Sequence, residues 1–267
     1  SRGLGDVYKR QILSLPERHN RILALLQQNG SISVVQLAEL FKVSEVTIRK
    51  DLSFLEQQKK LYRTHGSAIL ISPYISDRHV NEKEKKNVAE KRAIGAKAAS
   101  LVAQDDSIII ASGTTMAFLA REIKPVGHLT VITAAVPVTS ILSQDTNVDV
   151  IQLGGITRSS SVSVVGPFAE QMLGNFNCSK LFVGVDGIDL EFGLTTTNML
   201  EAALNRVMMN AAQKVIVLAD SSKFGRRGFS KICDLEAVDR IITDSGVQQL
   251  YLDRLRERGI EVTVVDV

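Results

Sequence analysis

Four short blocks between residues 112 and 225 are suited to holding an anionic, hydroxyl-rich small molecule. Ser112-Gly113-Thr114-Thr115 follows an apolar run and opens a helical pattern. Unpaired backbone N–H groups, the helix dipole, a glycine that admits close approach and three hydroxyls make such a turn a phosphate cradle. The same pattern also serves as a plain strand-to-helix turn. Gly154-Gly155, after the run ending at Leu153, is a weaker case. In GVDGIDLEFGLTTTN, residues 184–198, Asp186 stands at a strand end and Thr195, Thr196 and Thr197 follow a glycine turn. In ADSSKFG, residues 219–225, Asp220 is placed to cap or orient and Lys223 is a point charge suited to a phosphate. A structural ion pair between Asp186 and Lys223 is the competing reading, and Glu201 and Arg206 read as helix-surface or interface pairs.

A different chemistry is written near the start. In SEVTIRKDL, residues 44–52, Ser44 caps a helix; Val46, Ile48 and Leu52 are assigned to the core, which leaves Glu45, Thr47, Arg49 and Lys50 pointing outward. Arginine and lysine neutralise phosphates or reach guanine acceptors, and threonine meets a phosphate or a thymine methyl. Arg63 and His65, on a following hairpin, are placed to track a nucleic-acid backbone or enter the adjacent groove. A solvated amphipathic helix has the same local pattern. The two cysteines, Cys178 and Cys233, stand far apart outside any C-x-x-C pair and read as free thiols. His19, His65 and His79 precede the α/β body and His128 falls in a turn, so no metal site and no cofactor are expected.

Residues 1–11 match no helix or strand template and read as an unpatterned tail. From Ser14, with Pro16 just inside the start, an apolar stripe of Ile22, Leu23, Leu25 and Leu26 makes a first helix that Gly30 ends. Ser33-x-x-Gln36 has capping-box spacing and opens a second helix to about Lys42, burying Leu37, Leu40 and Phe41. Val43-Ser44 makes a tight turn into the third helix. Leu61–Thr64 and Ala68–Ile71, around a glycine-containing turn, make a hairpin. Helix, helix, turn, helix, hairpin is the order of a winged helix-turn-helix, assigned to residues 12–72, whose third helix enters the major groove of duplex DNA. Pro73 and the charged run NEKEKKNVAEKR make 73–95 a linker, leading into an amphipathic helix at Ala93–Val102. Beyond it, apolar runs at 108–111, 130–133, 149–153, 180–185, 215–219, 240–243 and 261–265 alternate with helical patterns at 115–123, 168–173, 200–212 and 248–258. Such runs, apolar on both faces, predict an α/β domain over 96–267 with a mostly parallel sheet covered on both sides. Ligands of such domains bind beyond the carboxyl ends of the strands.

The 267 residues suit two domains. No run approaches a membrane span and no start has the layout of a signal peptide, so a cytoplasmic protein is expected. Residues 1–95 hold 17 Lys+Arg against 10 Asp+Glu, and residues 96–267 hold 15 against 19. A basic head on an acidic body suits a polyanion-binding module joined to something else.

The segment from Arg18 to Ala68 resembles the N-terminal domain of the DeoR family of sugar-metabolism regulators. The resemblance rests on Arg18-x-x-x-Ile22, Gly30, Leu37-Ala38, VSEVTIRKDL at 43–52, Leu55-Glu56, Leu61 and RTHGSA at 63–68. GVDGID, the run Glu201-Ala202 to Asn205-Arg206, and DSSKF resemble the family's sensor domain, related in fold to ribose-5-phosphate isomerase and glucosamine-6-phosphate deaminase. The family's usual pattern is departed from in four places: Ser67 replaces a glycine of the wing, Lys59-Lys60 stands where a glycine usually precedes it, Ala111 stands where an aspartate precedes Ser-Gly-Thr-Thr, and Ala134 where an asparagine follows Thr133. Within the family the whole resembles repressors of N-acetylgalactosamine, galactitol and related sugar pathways. The resemblance implies a homodimer or homotetramer that represses a sugar-catabolic operon, binds double-stranded operator DNA and answers to a phosphorylated sugar. Two other readings stay open. One is a sugar-phosphate isomerase or deaminase carrying an extra head, although the Gly-rich lysine loop and partnering acid of those enzymes have no match here. The other is a DNA-binding protein with an inert α/β dimerisation body.

Overall fold

The computed structural model describes residues 14–29, 31–58, 60–64, 67–70 and 79–267. The tail at 1–11, Gly30, Lys59, the turn residues His65 and Gly66, and Pro73 lie outside the described residues. The chain divides into two compact units between residues 73 and 74.

The first unit runs α1 (Leu15–Asn29), β1 (Ser31–Ser33), α2 (Val34–Phe41), α3 (Glu45–Gln57), β2 (Leu61–Thr64) and β3 (Ser67–Leu70). The strands form an antiparallel sheet in the order β1-β3-β2. Ser33 makes the expected capping box with Gln36: its hydroxyl accepts from the Gln36 N–H at 3.1 Å, and its own N–H donates to Gln36 Oε1 at 3.0 Å. Lys42 ends α2 in the left-handed conformation, and Ser44 caps α3 by accepting from Thr47 N–H at 3.2 Å. Ile22, Leu26, Val34, Leu37, Ile48, Leu52, Leu55, Leu61 and Ala68 form the core. Two expected core residues are not in it. Val46 is 60% exposed and Leu40 54% exposed. At 100° per residue the buried stripe of α3 passes through Ile48, Asp51, Leu52 and Leu55, and Val46 lies on the opposite face. In α2 the stripe is centred on Val34, Leu37 and Phe41, with Leu40 on its flank. The three-residue strand β1 was not foreseen, because Ser-Ile-Ser is too short to show alternation.

The second unit opens with α4 (Val80–Glu84) and α5 (Val88–Ala99). The stretch read as a solvated linker up to residue 95 is therefore helical through most of its described part, and Lys91, Ile94 and Gly95 are buried. There follow β4 (Ser107–Ile110), α6 (Thr114–Glu122), β5 (Leu129–Thr133), α7 (Val136–Leu142), β6 (Val148–Gln152), β7 (Ile156–Arg158), β8 (Ser163–Val165), α8 (Pro167–Leu173), β9 (Lys180–Gly184), β10 (Gly187–Asp189) and β11 (Gly193–Thr196). The rest is α9 (Met199–Asn210), β12 (Val215–Leu218), a 3-10 turn at Ser221–Lys223, β13 (Ser230–Cys233), β14 (Arg240–Asp244), α10 (Gln249–Glu257) and β15 (Glu261–Val265). Seven strands form one sheet in the order β15-β14-β12-β9-β4-β5-β6, parallel throughout. Successive residues feed opposite faces. Ile109, Leu181, Val183, Val217 and Ile241 pack in one core, and Ile108, Ile110, Phe182, Ile216 and Ile242 in the other. That two-sided burial explains the continuous apolar runs. Short antiparallel pairings, β10-β11-β13 and β7-β8, and helix α7 complete the unit.

Strand order sets the place of a binding site. From β4 the chain walks outward through β5 to β6, then returns to β9 on the other side of β4 and continues through β12, β14 and β15. The direction reverses between β4 and β9, and in sheets of this kind ligands bind beyond the carboxyl ends at such a reversal. Among the described residues, no helix is long and apolar enough to cross a membrane, and no group of three His, Cys, Asp or Glu is placed to hold a metal ion.

Candidate functional site

In the first unit, α3 is locked at its middle. Arg18 donates to Asp51 through Nε at 2.5 Å and through a second guanidinium nitrogen at 3.0 Å, and His19 Nε2 lies 3.0 Å from the same carboxylate. All three residues are buried. Burial alone raises the Asp51 pKa, but the bonds and charges of Arg18 and His19 outweigh it and hold the carboxyl below its ordinary value. His19 also stacks on Phe54, with ring centroids 5.1 Å apart. Sequence reading assigned no role to Asp51, whose carboxylate inside an apolar stripe was the available signal.

The lock fixes what α3 shows outward. Glu45, Arg49 and Lys50 are exposed and Thr47 half-buried. Val46, Arg49, Lys50, Ser53, Phe54 and Gln57 line a shallow groove along this face, so apolar surface lies among the cations. Arg49 pairs with Glu45 at 2.7 Å one turn earlier, both side chains in solvent, and such pairs exchange readily. Arg63 is not extended away from the wing. It donates to Glu56 at 2.7 Å and to the Ser53 hydroxyl at 2.7 Å, which folds it onto α3.

In the second unit, Ser112–Thr115 lies past β4, Asp186 past β9, and Lys223 in the 3-10 turn past β12, three adjacent strands with their carboxyl ends on one edge. Gly113 caps α6 with φ 128°, a conformation suited to glycine, and a Cβ there would meet nothing within 4 Å. Among the described residues, the backbone N–H groups of Ser112, Gly113, Thr114 and Thr115 and the hydroxyls of Ser112, Thr114 and Thr115 make no hydrogen bond. The Lys223 side chain likewise has no hydrogen-bond or ion-pair partner among them. It is near enough to Asp186 to influence it electrostatically.

Asp186 is heavily engaged. Its Oδ2 accepts from Thr196 Oγ1 at 3.1 Å, from Thr197 N–H at 3.2 Å and from Thr197 Oγ1 at 3.2 Å; its Oδ1 accepts from Lys83 Nζ at 3.0 Å. Burial pushes this carboxyl up, yet Lys83, Lys223 and the donated bonds hold it below its ordinary value. Its ion-pair partner is thus Lys83, not Lys223. Thr196 Oγ1 also lies 3.4 Å from Glu201, which pairs with Arg158. Glu201 was read as a helix-surface residue. Its side chain is instead largely turned out of water, placed by the Asn198 cap at the start of α9, and burial raises its pKa more than Arg158 and Ser161 lower it.

Some candidates fall elsewhere. Thr195 is fully buried, donating to the Gly187 carbonyl at 3.2 Å and accepting from Gly228 N–H at 2.7 Å, a clamp within the small sheet. Gly154 and Gly155 pack against Met172, Val164 and Val165. A Cβ on Gly155 would stand 2.9 Å from the Val165 carbonyl, which accounts for that glycine by packing. Other residues of the site went unread. Asn87, left-handed at φ 51°, donates to Asp220 at 2.8 Å and to Ser222 at 3.3 Å. Lys91 donates to the carbonyls of Lys83 and Lys86 and is lowered to about 8, first by burial and then by Lys223 and Lys83, against Asp220 and Glu90.

The family model described as the DeoR-like helix-turn-helix domain matches residues 18–74, and that described as the DeoR C terminal sensor domain matches residues 86–245. The chain belongs to the DeoR family of transcriptional regulators. This DeoR-family chain is 39% identical over 249 residues to the uncharacterized HTH-type transcriptional regulator YulB of Bacillus subtilis (strain 168), covering 93% of this chain and 96% of that one. It is 38% identical over 260 residues to a putative aga operon transcriptional repressor of Escherichia coli O157:H7, covering 96% of each. Among solved structures, ribose 5-phosphate isomerase A of Methanocaldococcus jannaschii aligns at 16% identity over 52% of this chain and 55% of its own, with a TM-score of 0.38. Both sequence relatives are named as regulators, and the DeoR-family chain is a DNA-binding regulator, not an isomerase or deaminase.

Proposed function

We propose that this chain represses a sugar-catabolic operon and is released from its operator by a phosphorylated sugar. In this reading residues 12–72 bind double-stranded operator DNA, with Ser44, Glu45, Thr47, Arg49 and Lys50 at the major groove and Arg63 and His65 on the wing. Residues 96–267 sense the ligand and assemble the homodimer or homotetramer that two-fold operators require. One observation carries the sensing assignment: the start of α6, whose N–H groups and hydroxyls are unpaired among the described residues, follows β4 at the same sheet edge where Lys223, likewise without a hydrogen-bond or ion-pair partner among them, follows β12. An anion satisfies both, and a polyol skeleton extending from it meets the carboxylates and hydroxyls of Asp186, Thr196 and Thr197. The name of the Escherichia coli relative supports control of a sugar operon.

The test is a thermal-shift screen of the full chain against pentose and hexose phosphates, followed by operator binding with each stabilising compound. A stabilising sugar phosphate that weakens operator binding supports the reading. A broad panel that moves neither melting temperature nor operator affinity overturns it in favour of an inert α/β body.

A further inference from the structure

Asp186 divides its bonds unevenly between its two oxygens. Oδ2 is held by three donors belonging to two consecutive threonines, whereas Oδ1 is held by the flexible Lys83 ammonium. Lys83 sits on α4, which with the α4–α5 corner follows directly in chain order on residues 71–78, between the helix-turn-helix unit and the sensor. That corner is fastened by three lysine or asparagine contacts: Lys83 to Asp186, Asn87 to Asp220 and Ser222, and Lys91 to the carbonyls of Lys83 and Lys86. A further tie joins Val80 N–H to the Ser160 carbonyl at 2.6 Å.

Three ammonium groups gather at the corner, beside the carboxylates of Asp186, Asp220 and Glu90. Lys83, Lys91 and Lys223 influence one another or share Asp186, and Lys91 has backbone carbonyls rather than a carboxylate as its hydrogen-bond acceptors. A phosphoryl group arriving at the α6 N-terminus and Lys223 brings up to two negative charges to these ammonium groups. It competes with Oδ1 for the Lys83 ammonium, while a sugar hydroxyl can take the place of Lys83 on Oδ1. Resting on the phosphosugar reading above, we propose that Lys83 is a second cation of the anion site, which leaves Asp186 for the ligand's phosphoryl group, and that this exchange unfastens the α4–α5 corner leading from the DNA-binding unit.

The test uses the full chain with inorganic phosphate and then a panel of pentose 5-phosphates and hexose 6-phosphates. Calorimetry reads binding, and hydrogen–deuterium exchange reads the amides of 79–91. With a bound ligand, exchange at Val80–Lys86 speeds by about fivefold or more, the low end of ordinary coupling. Asp186→Asn, which keeps an oxygen for the threonine donors, releases Lys83 and tightens inorganic phosphate; adding Lys83→Met removes that gain. Binding without any change at 79–91 overturns the coupling and leaves the ligand reading intact. An unchanged gain in the double variant overturns Lys83 as an anion ligand, because the effect is then one of local charge alone. No heat from any compound defeats the ligand reading and this inference with it. The wild-type exchange measurement decides the matter even if a variant misfolds.

Discussion

Replacing Asp51 by alanine tests whether the recognition helix is held by a buried charge or by its apolar stripe alone. The Arg18 and Asp51 side chains are 9% and 3% exposed, so the alanine leaves a guanidinium out of water with its two shortest bonds gone. Breaking a buried pair in this way costs about 3–5 kcal/mol. A unit of this size, at ordinary per-residue stability, holds roughly 3–9 kcal/mol in total. The first unit of Asp51→Ala is therefore expected to be partly unfolded at 25 °C. The second unit, with separate cores on both faces of its sheet, keeps its stability. Urea unfolding of the full chain, followed by far-ultraviolet circular dichroism and by exchange of the α3 amides, separates the two. Replacing both partners, Arg18→Met with Asp51→Leu, should recover much of the loss, because no uncompensated charge remains. The pH dependence has a definite sign. The folded pKa of Asp51 lies below the unfolded one, so its contribution is complete above the ordinary aspartate range and is lost as pH falls through the lower folded value. A loss under about 1 kcal/mol in Asp51→Ala, the scale of an exposed pair, would refute the argument.

Three further outcomes follow from the two sites. Arg49→Ala should weaken a duplex selected by this protein from a random pool by about 1–3 kcal/mol and relax its sequence preference, as loss of a guanine contact does; an unchanged footprint and affinity would remove Arg49 from the base-reading set. Lys223→Ala should blunt the response of operator binding to a sugar phosphate while leaving ligand-free binding at wild-type strength, and loss of ligand-free binding would make the residue structural. Lys91→Met should change how stability varies with pH: with the folded pKa lowered to about 8, the unfolded chain holds a proton that the folded chain has shed between there and the ordinary lysine range. Wild-type stability therefore rises across that window relative to the methionine variant, and parallel urea midpoints at pH 7.5 and 9.5 would show that Lys91 is not perturbed.

The sheet was legible because its strands are buried on both faces. Runs such as Ile108–Ile110 and Val215–Leu218 have no polar alternation to confuse with a surface strand, and all seven strands of the sheet lie where such runs stand. The short pairings escaped because Gly187–Asp189 or Ser163–Val165 is too brief for any period. The helix-turn-helix order was legible from its caps, Ser33 with Gln36 and Ser44 with Thr47, which are local and obey fixed spacings. Val46 was misplaced for a geometric reason: apolar character was taken for burial, while the stripe through Ile48 and Leu52 had already set the opposite face. In the second unit, the sequence singles out residues next to glycine turns but not the side chains they bond to. Lys83, Asn87 and Lys91 sit in a run whose composition is that of a solvated linker, and only the return of β9 and β12 beside β4 gives them Asp186 and Asp220 to meet. Long-range electrostatic pairing leaves no periodic mark in a sequence.

The Lys83–Asp186 contact is also of the right strength for a switch. Its side chains are 31% and 14% exposed, between the solvent pairs worth roughly 0–1 kcal/mol and the buried pairs whose rupture costs about 3–5 kcal/mol. A latch weaker than that range would be open without ligand, and a stronger one would absorb the binding energy of a small anion. At about 1–3 kcal/mol it matches the coupling free energies of ordinary allosteric proteins, which correspond to about 5–150-fold in affinity. A ligand that exchanged this single pair would change operator binding by that order at most, because it could shift the equilibrium only by its preference for the unlatched arrangement.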